Sequence, residues 1–300
     1  MYQFLTFLTG VILGFMISLN GGLSAAHGVL PSVVIIHLVG SVFALVLCLI
    51  RKEKISLALQ RPLWIYLGGA VGVLTTIFQN FAFGHISMTS IIALGLFGQA
   101  ATSLIFDRFG LMGMEKRPFD RSSIIGIIFA AAGIIVMLDN TVTSTVYAVV
   151  LAAASGISIV LNRTINARLS EKIGAMPGSF VNHIVGLAVS FVIMLISAKG
   201  LPVLQFAGRG LNPLIYFGGF LGVINIFLMN IAVPKLPAFK FTIISFVSQI
   251  LTGVLLDVFV SQTYSSKSLA GGLIIAAGVL ISTIVEQLKQ RGEGNKFTAQ

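Results

Sequence analysis

Charged side chains are scarce in this chain, and their scarcity excludes an ordinary soluble domain. Lys, Arg, Asp and Glu make up 9% of the 300 residues, whereas a soluble domain carries roughly 25%. Apolar residues account for 56%, and the mean hydropathy is +1.01. Water therefore cannot be the main solvent of this protein, and a lipid bilayer is the expected surrounding.

Other absences narrow the function. Cys48 is the single cysteine and falls inside an apolar run, which excludes a disulfide framework and a thiolate metal site. The four histidines show no HExxH or other close metal spacing, and no GxxxxGK[ST] phosphate loop is present. We therefore predict that the chain is not an enzyme and uses no metal or cofactor.

Long apolar runs predict an all-α integral membrane protein. A bilayer core about 30 Å thick needs about 20 apolar residues per helix at a rise of 1.5 Å. Uninterrupted runs such as 42–50 lack the alternation of a barrel strand, so helices are the expected spanning elements. We place ten spans, five in each half, at roughly 4–23, 31–50, 63–83, 87–106, 122–138, 146–165, 177–198, 213–233, 238–260 and 268–287.

The two halves of the chain repeat one another. The segment from Asn20 to Gly40 returns as the segment from Asn166 to Gly186, with a constant shift of 146 residues. Further pairs, shifted by 150 or 145, are Tyr66/Tyr216, Gly68/Gly218, Gly72/Gly222, Asn80/Asn230, Gln99/Gln249, Asp107/Asp257, Gly126/Gly271 and Gly133/Gly278. The glycines four residues apart predict close helix packing. We predict a first five-helix repeat in residues 1–144 and a second in residues 145–300, which together form one membrane domain.

The repeats are expected to be inverted. Because each holds an odd number of spans, the second must enter the membrane upside down relative to the first. Basic residues mark the cytoplasmic side, and 16 of the 19 follow even-numbered spans, Arg163, Arg168 and Lys172 among them. We expect a multi-pass protein of a bacterial-type plasma membrane, with both termini cytoplasmic. The net charge is +10, but the basic residues are spread over short loops, and this spread argues against nucleic-acid binding.

Polar side chains inside the spans are the candidate site residues, because each costs free energy in hydrocarbon unless it finds a partner or water. Two asparagines lie near the outer ends of their spans, two lie at the mirrored inner depth, and two glutamines lie near the middle. The predicted substrate contacts are Asn20, Asn80, Asn166, Asn230, Gln99 and Gln249. Interhelical bracing or helix capping remains an alternative role for the asparagines.

Two histidines occupy mirrored depths and are candidates for proton coupling. His37 and His183 carry the side chain whose charge changes most readily near neutral pH, although a bracing hydrogen bond is the competing interpretation. No Asp or Glu falls deep within a predicted span. This absence favours a neutral, zwitterionic or anionic substrate, or coupling through histidine.

Several of these segments together resemble a known family. The repeated segment Asn20–Gly40, the pair Gly98-Gln99 and the loop from Asp107 through Pro118 are similar to the YdcZ-type inner-membrane exporters of the drug/metabolite transporter superfamily, in a fused tandem form. The resemblance implies a ten-helix basket with a central cavity, cytoplasmic termini and secondary transport of small solutes.

The predicted function is secondary transport of a small metabolite or drug by alternating access, with export as the expected direction. A flippase for lipids or lipid-linked sugars would share the architecture. A membrane assembly or sensor protein that transports nothing is the alternative from another class. Pairing of the chain into a homodimer is left open, and the expected partners are a small-molecule substrate, the bilayer and protons as coupling ions.

Overall fold

The protein, described here by a computed structural model, is a bundle of helices. The structure describes residues 1–55, 62–83, 85–86, 88–114, 116, 121–138, 145–198 and 212–256, and further along the chain residues 266–267, 270–275, 277–278, 281 and 284–285. Within these ranges there are nine complete α-helices and no strand. They are α1 (Tyr2–His27), α2 (Val29–Ile50), α3 (Gly68–Phe83), α4 (Met88–Phe109), α5 (Arg121–Met137), α6 (Val146–Ile173), α7 (Ala175–Ala198), α8 (Gly218–Ala232) and α9 (Ala238–Leu256).

These helices confirm the prediction of an all-helical membrane protein. Each of the first nine predicted spans coincides with one helix, and short 3-10 segments at Leu63–Tyr66 and Pro213–Phe217 precede α3 and α8. Six helices are long and apolar enough to cross a membrane by length and composition, and two shorter apolar helices cover 124–136 and 238–253. Much of the tenth span lies outside the described residues, as do Asp257, Arg117 and Pro118.

The outward surface of the bundle is apolar. Helix α2 shows this with a stripe of aliphatic side chains at helical spacing, each more than a third exposed. They are Leu38, Val42, Leu45, Val46 and Leu49. A continuous apolar stripe on the outside suits contact with lipid tails, whereas water would disfavour it.

The first two helices of each repeat are joined by a single glycine. Gly28 and Gly174 have φ angles of 88° and 97° and ψ angles of 163° and 156°, a region almost reserved for glycine. Each donates its N–H to the backbone carbonyl oxygen of a serine four residues earlier, Ser24 or Ser170, at 2.8 Å. This cap lets the helices continue beyond the predicted spans, up to the turn.

The two repeats are intertwined rather than side by side. Helix α1 packs mainly against α9 and α8, which come from the other half of the chain, and α6 packs mainly against α3 and α4. Helices α2 and α7 make the central contact between the halves. Each repeat therefore contributes its first helix to the helices of the other, and neither half has a separate core.

Glycines allow helix backbones to touch at corresponding places in the two halves. A methyl group on Gly10 would overlap the Ser245 carbonyl oxygen, and one on Gly156 would overlap the Gly95 carbonyl oxygen. Gly156 follows Gly10 by 146 residues, and Ser245 follows Gly95 by 150. The contact between α1 and α9 is thus repeated between α6 and α4.

Two further glycine contacts come in corresponding pairs. Gly69 lies against the backbone of Asn182 on α7, and Gly219 lies against the backbone of Ile36 on α2. The glycine before each of these meets an asparagine amide oxygen, with Gly68 against Asn166 and Gly218 against Asn20. These contacts confirm that the repeated glycines serve close helix packing.

Arg163 corrects one part of the basic-loop prediction. It lies within α6, is 1% exposed, and does not belong to a loop, because α6 continues to Ile173. Its Nη2 donates to Ser103 Oγ at 2.8 Å and to Thr242 Oγ1 at 2.6 Å, and its guanidinium lies 4.8 Å from the centre of the Phe241 ring. These contacts and the nearby Asp107 carboxylate compensate the charge.

Asp107 anchors the start of α9. Its Oδ1 accepts from the N–H of Ala238 and its Oδ2 from the N–H of Phe239, both at 2.9 Å. Asp107 therefore caps α9, since two otherwise unpaired donors of a helix N-terminus are satisfied. Arg163 also donates to the Ala238 carbonyl oxygen at 3.1 Å, so α4, α6 and α9 are held at one point.

The turn at Gly28 yields a stability prediction. In Gly28→Ala the new Cβ would meet only Pro31 Cδ at 3.8 Å, so the cost is the strained backbone, about 1–3 kcal/mol. The matched control is Gly253→Ala in α9, whose Cβ would meet only Ile92 Cδ1 at 3.8 Å and which should be neutral or stabilising by up to about 1 kcal/mol. Thermal unfolding in detergent measures both, and equal stabilities would contradict the prediction.

Candidate functional site

A cavity lies between the two halves of the chain. The empty space between its walls measures about 760 Å³ when the open solvent at its mouth is included. Helices α1, α2 and α3 of the first repeat and α6, α7 and α8 of the second contribute to its wall. The described residues that line it are Leu13, Met16, Ile17, Asn20, Ile36, His37, Gly72, Thr75, Thr76, Gln79, Ile159, Asn162, Asn182, His183, Gly222, Asn225, Ile226 and Met229.

The lining consists almost entirely of positions that correspond in the two repeats. Sixteen of the eighteen lining residues form eight pairs at the sequence shifts of 146 or 150. The pairs are Leu13/Ile159, Met16/Asn162, Ile36/Asn182, His37/His183, Gly72/Gly222, Thr75/Asn225, Thr76/Ile226 and Gln79/Met229. Both repeats therefore present the same helix faces to one shared space.

Two histidines face one another across the contact between α2 and α7. The rings of His37 and His183 have centroids 6.0 Å apart, and both side chains are less than 5% exposed. Each ring occupies the place that a side chain would need on a glycine of the opposite helix, His37 at Gly186 and His183 at Gly40. The glycines thus make room for the imidazoles.

The hydrogen bonds of the two imidazoles define their neutral tautomer. His37 Nδ1 lies 2.8 Å from the Val33 carbonyl oxygen, and His183 Nδ1 lies 2.9 Å from the Ser179 carbonyl oxygen. A carbonyl oxygen can only accept, so Nδ1 carries the proton and donates it. Each Nε2 of a neutral ring is then left with a lone pair that can accept a hydrogen bond or a proton.

Three asparagines of the second repeat form a cluster at one end of the cavity. Asn162 Nδ2 donates to the Gly68 carbonyl oxygen at 2.6 Å and to Asn182 Oδ1 at 3.2 Å. Asn166 Nδ2 donates to Asn182 Oδ1 at 2.8 Å and to Asn162 Oδ1 at 3.2 Å. The cluster ties α3, α6 and α7 together and places two amides in the cavity wall.

The corresponding end in the first repeat is largely apolar. Met16 and Ile36 stand where the second repeat has Asn162 and Asn182, and only Asn20 keeps its amide. The Met16 methyl group lies 3.6 Å from the position of a Cβ on Gly222. The two ends of the cavity therefore share their helix geometry and differ in chemistry.

The described lining of the cavity mixes polar and aliphatic side chains. None of the described residues that line the cavity is Asp, Glu, Lys, Arg or Cys. The lining offers amides, hydroxyls and imidazoles for hydrogen bonds and aliphatic side chains for apolar contact, the usual combination of a small-molecule site.

Three of the eight predicted site residues line the cavity, namely Asn20, His37 and His183. The other five are buried but are not among the described lining residues. Asn166 belongs to the asparagine cluster, Asn80 Nδ2 donates to Ser32 Oγ at 3.1 Å, and Asn230 Nδ2 donates to the Ala175 carbonyl oxygen at 2.9 Å. In this conformation these three asparagines brace neighbouring helices.

The two glutamines lie at helix contacts away from the cavity. Gln99 and Gln249 are 7% and 6% exposed. The backbone of Gln99 on α4 faces Gly156 on α6, and the backbone of Gln249 on α9 faces Gly14 on α1. The structure does not bring them together with the histidines.

Sequence reasoning missed Thr75, Thr76, Gln79, Asn162, Asn182 and Asn225, all of which line the cavity. The predicted site residues were polar residues that occur at the same place in both repeats. A polar residue in one repeat that faces an apolar or different residue in the other, as Asn162 does with Met16, was not selected. Divergence between repeats at mid-span positions was the signal that could have found them.

Comparison with solved structures supports the fold. One crystal structure of another protein superposes with a TM-score of 0.67 over 95% of this chain and 96% of that chain, at 16% sequence identity. At this identity the likeness shows the fold alone. No curated protein matches the sequence significantly.

Family comparison covers both repeats. The family described as "Putative inner membrane exporter, YdcZ" matches residues 1–136 and again residues 147–281. The two matches cover most of the chain and agree with the resemblance of its motifs and with the apolar helices that form the bundle. The chain therefore belongs to the YdcZ family of inner-membrane exporters, with two family units in tandem.

Proposed function

We propose that the protein is a secondary transporter that exports a small solute by alternating access, using the cavity between the repeats as its binding site. The observation that carries the proposal is the lining itself, in which eight pairs of corresponding residues surround one space. A site built from both repeats changes its access when the repeats exchange shapes.

Inverted insertion of two five-helix units, ten spans in all, is part of the proposal. Contacts between Asn20 and Gly218 and between Met16 and Gly222 run in opposite sequence directions, so α1 and α8 are antiparallel. The contacts Gly68 with Asn166 and Gly72 with Asn162 support the same relation between α3 and α6. Since alternate spans run in the same direction, α6 and α8 oppose their counterparts α1 and α3.

The boundary and orientation of the repeats remain part of the proposal. The two family matches lie on either side of residue 144, which supports repeats at 1–144 and 145–300. The bias of basic residues toward even-numbered spans, now without Arg163, supports cytoplasmic termini in a plasma membrane. Gln99 and Gln249 remain predicted substrate contacts for a conformation in which α4 and α9 have moved.

Blocking the cavity tests the transport function. Thr75→Trp places an indole in the cavity, whereas Leu74→Trp on the same helix points outward from a position that is 44% exposed. The measurement is untargeted mass spectrometry of the medium and cytosol of cells that make each variant at equal membrane level. At least one small solute should be exported by wild type and by Leu74→Trp, and its export should fall about tenfold or more in Thr75→Trp.

Two outcomes would contradict transport through this cavity. One is the absence of any solute whose distribution depends on the wild-type protein. The other is a dependent solute whose export is equal in the two tryptophan variants, because the cavity would then not be its route.

Coupling of transport to protons through the histidine pair is a further part of the proposal. The two rings lie 6.0 Å apart, close enough that two imidazolium charges would repel strongly in a dry site. The pair is therefore suited to hold one proton. Its placement on α2 and α7, the central contact between the repeats, would let that proton respond to their movement.

Proton flux in proteoliposomes tests the coupling. With the wild-type protein, a gradient of the solute identified in the export experiment should drive proton movement across the membrane. His37→Gln and His183→Gln should each lower the number of protons moved per solute molecule. The matched control is His85→Gln, because His85 is exposed beyond the end of α3 and stacks on Phe81. Unchanged stoichiometry in both cavity variants would remove the histidines from the mechanism.

A further inference from the structure

The difference between the two repeats inside the cavity carries information about the substrate. At corresponding positions α1 and α2 present Met16 and Ile36 where α6 and α7 present Asn162 and Asn182. Two more aliphatic side chains, Leu13 and Ile17, complete the lining from α1. The lining from α1 and α2 is therefore mainly apolar, whereas the lining from α6 and α7 bears amides.

Part of the amide wall has unused hydrogen-bonding capacity. Both acceptor positions of Asn182 Oδ1 are taken by Asn162 and Asn166, but its Nδ2 makes no hydrogen bond with any described residue. That Nδ2 carries two N–H groups and can donate to an oxygen in the cavity.

Asn225 offers the complementary group. It lines the cavity and is 3% exposed, and no described residue donates a hydrogen bond to its Oδ1. Its Nδ2 makes only a long contact, 3.9 Å, to Met229 Sδ. A buried amide oxygen without a donor costs free energy, which a ligand N–H or O–H would recover.

The imidazoles add acceptors to the same space. With Nδ1 donating to the backbone, Nε2 of a neutral His37 or His183 is an acceptor for which no described residue provides a donor. None of the described lining residues is Asp, Glu, Lys or Arg, and while both imidazoles are neutral the described lining bears no formal charge that would attract an ionic group. A charged ligand would lose its hydration without a compensating charge.

We propose that the cavity binds a neutral, amphipathic solute whose polar head both donates and accepts hydrogen bonds, in the manner of a carboxamide. The head lies against Asn182, Asn225 and the imidazoles, and the apolar body lies against Leu13, Met16 and Ile36. This inference rests on the proposed function, because it identifies the substrate class of the same site.

Four probes of one size test the class directly. Benzamide carries donor and acceptor, acetophenone keeps the carbonyl but replaces the amide nitrogen with a methyl group, and benzoate and benzylammonium are charged. Binding to protein in lipid nanodiscs is measured by ligand-observed NMR titration, with Thr75→Trp subtracted to remove partition into lipid. Benzamide should bind, at millimolar concentration or below, about tenfold more tightly than each of the other three.

A substitution of Asn225 tests whether its side chain causes the preference for benzamide over acetophenone. In Asn225→Thr, which copies Thr75, the preference for benzamide over acetophenone should fall to about twofold. Ile224→Thr on the same helix is the matched control and should keep the tenfold preference, because Ile224 is 38% exposed and is not among the described lining residues.

The results separate this inference from the transport proposal. No binding of benzamide at 10 mM, a preference below twofold in wild type, tighter binding of either charged probe, or an unchanged preference in Asn225→Thr would each overturn the substrate class. Benzamide preference without any protein-dependent solute export would leave the substrate class standing and would remove the transport function. Protein-dependent solute export without a preference for benzamide would leave the transport function standing and would remove the substrate class.

Discussion

Close contact between helix backbones is the constraint on which the rest of the structure depends. In lipid, apolar side chains gain little by moving from hydrocarbon to a helix contact, so helices associate where small residues let backbones approach. Gly10 and Gly156 do this at corresponding places, and Gly69 and Gly219 do it at a second pair of places. Every such contact joins one repeat to the other, so a contact made by one repeat has its counterpart in the second.

The cavity uses the positions where the repeats are free to differ. Glycines and the residues that fill their grooves keep the helices in register, and His37 with His183 belongs to this repeated framework. Between these contacts lie positions in the cavity wall, such as Met16 and Asn162, at which the two repeats carry different side chains. The framework sets the helix geometry, and the divergent positions set the chemistry of the cavity wall.

The sequence predicted much of the fold, because span length and the repeat depend on local composition. Nine span positions and the close-packing glycines were accessible in this way. The burial of Arg163 was not, since its partners Ser103 and Thr242 are distant in the sequence. The single-glycine turns were not, since span length does not reveal the backbone conformation of Gly28 and Gly174. For the cavity, the residues predicted were polar ones shared by both repeats, such as Asn80 and Asn230, which brace helices. Asn182 and Asn225, which line the cavity, differ between the repeats and were therefore missed.

Opposite insertion of the repeats is the central claim, and side-specific labelling tests it most directly. Ala25 and Glu171 are exposed residues near the ends of α1 and α6 and correspond at a shift of 146. Single cysteines at these positions, in a Cys48→Ala background, are treated in intact cells with a maleimide that cannot cross the membrane. The account predicts that the cysteine in Ala25→Cys reacts from outside and that the cysteine in Glu171→Cys reacts only after the cytoplasmic face is opened. Reaction of both from the same side would contradict it.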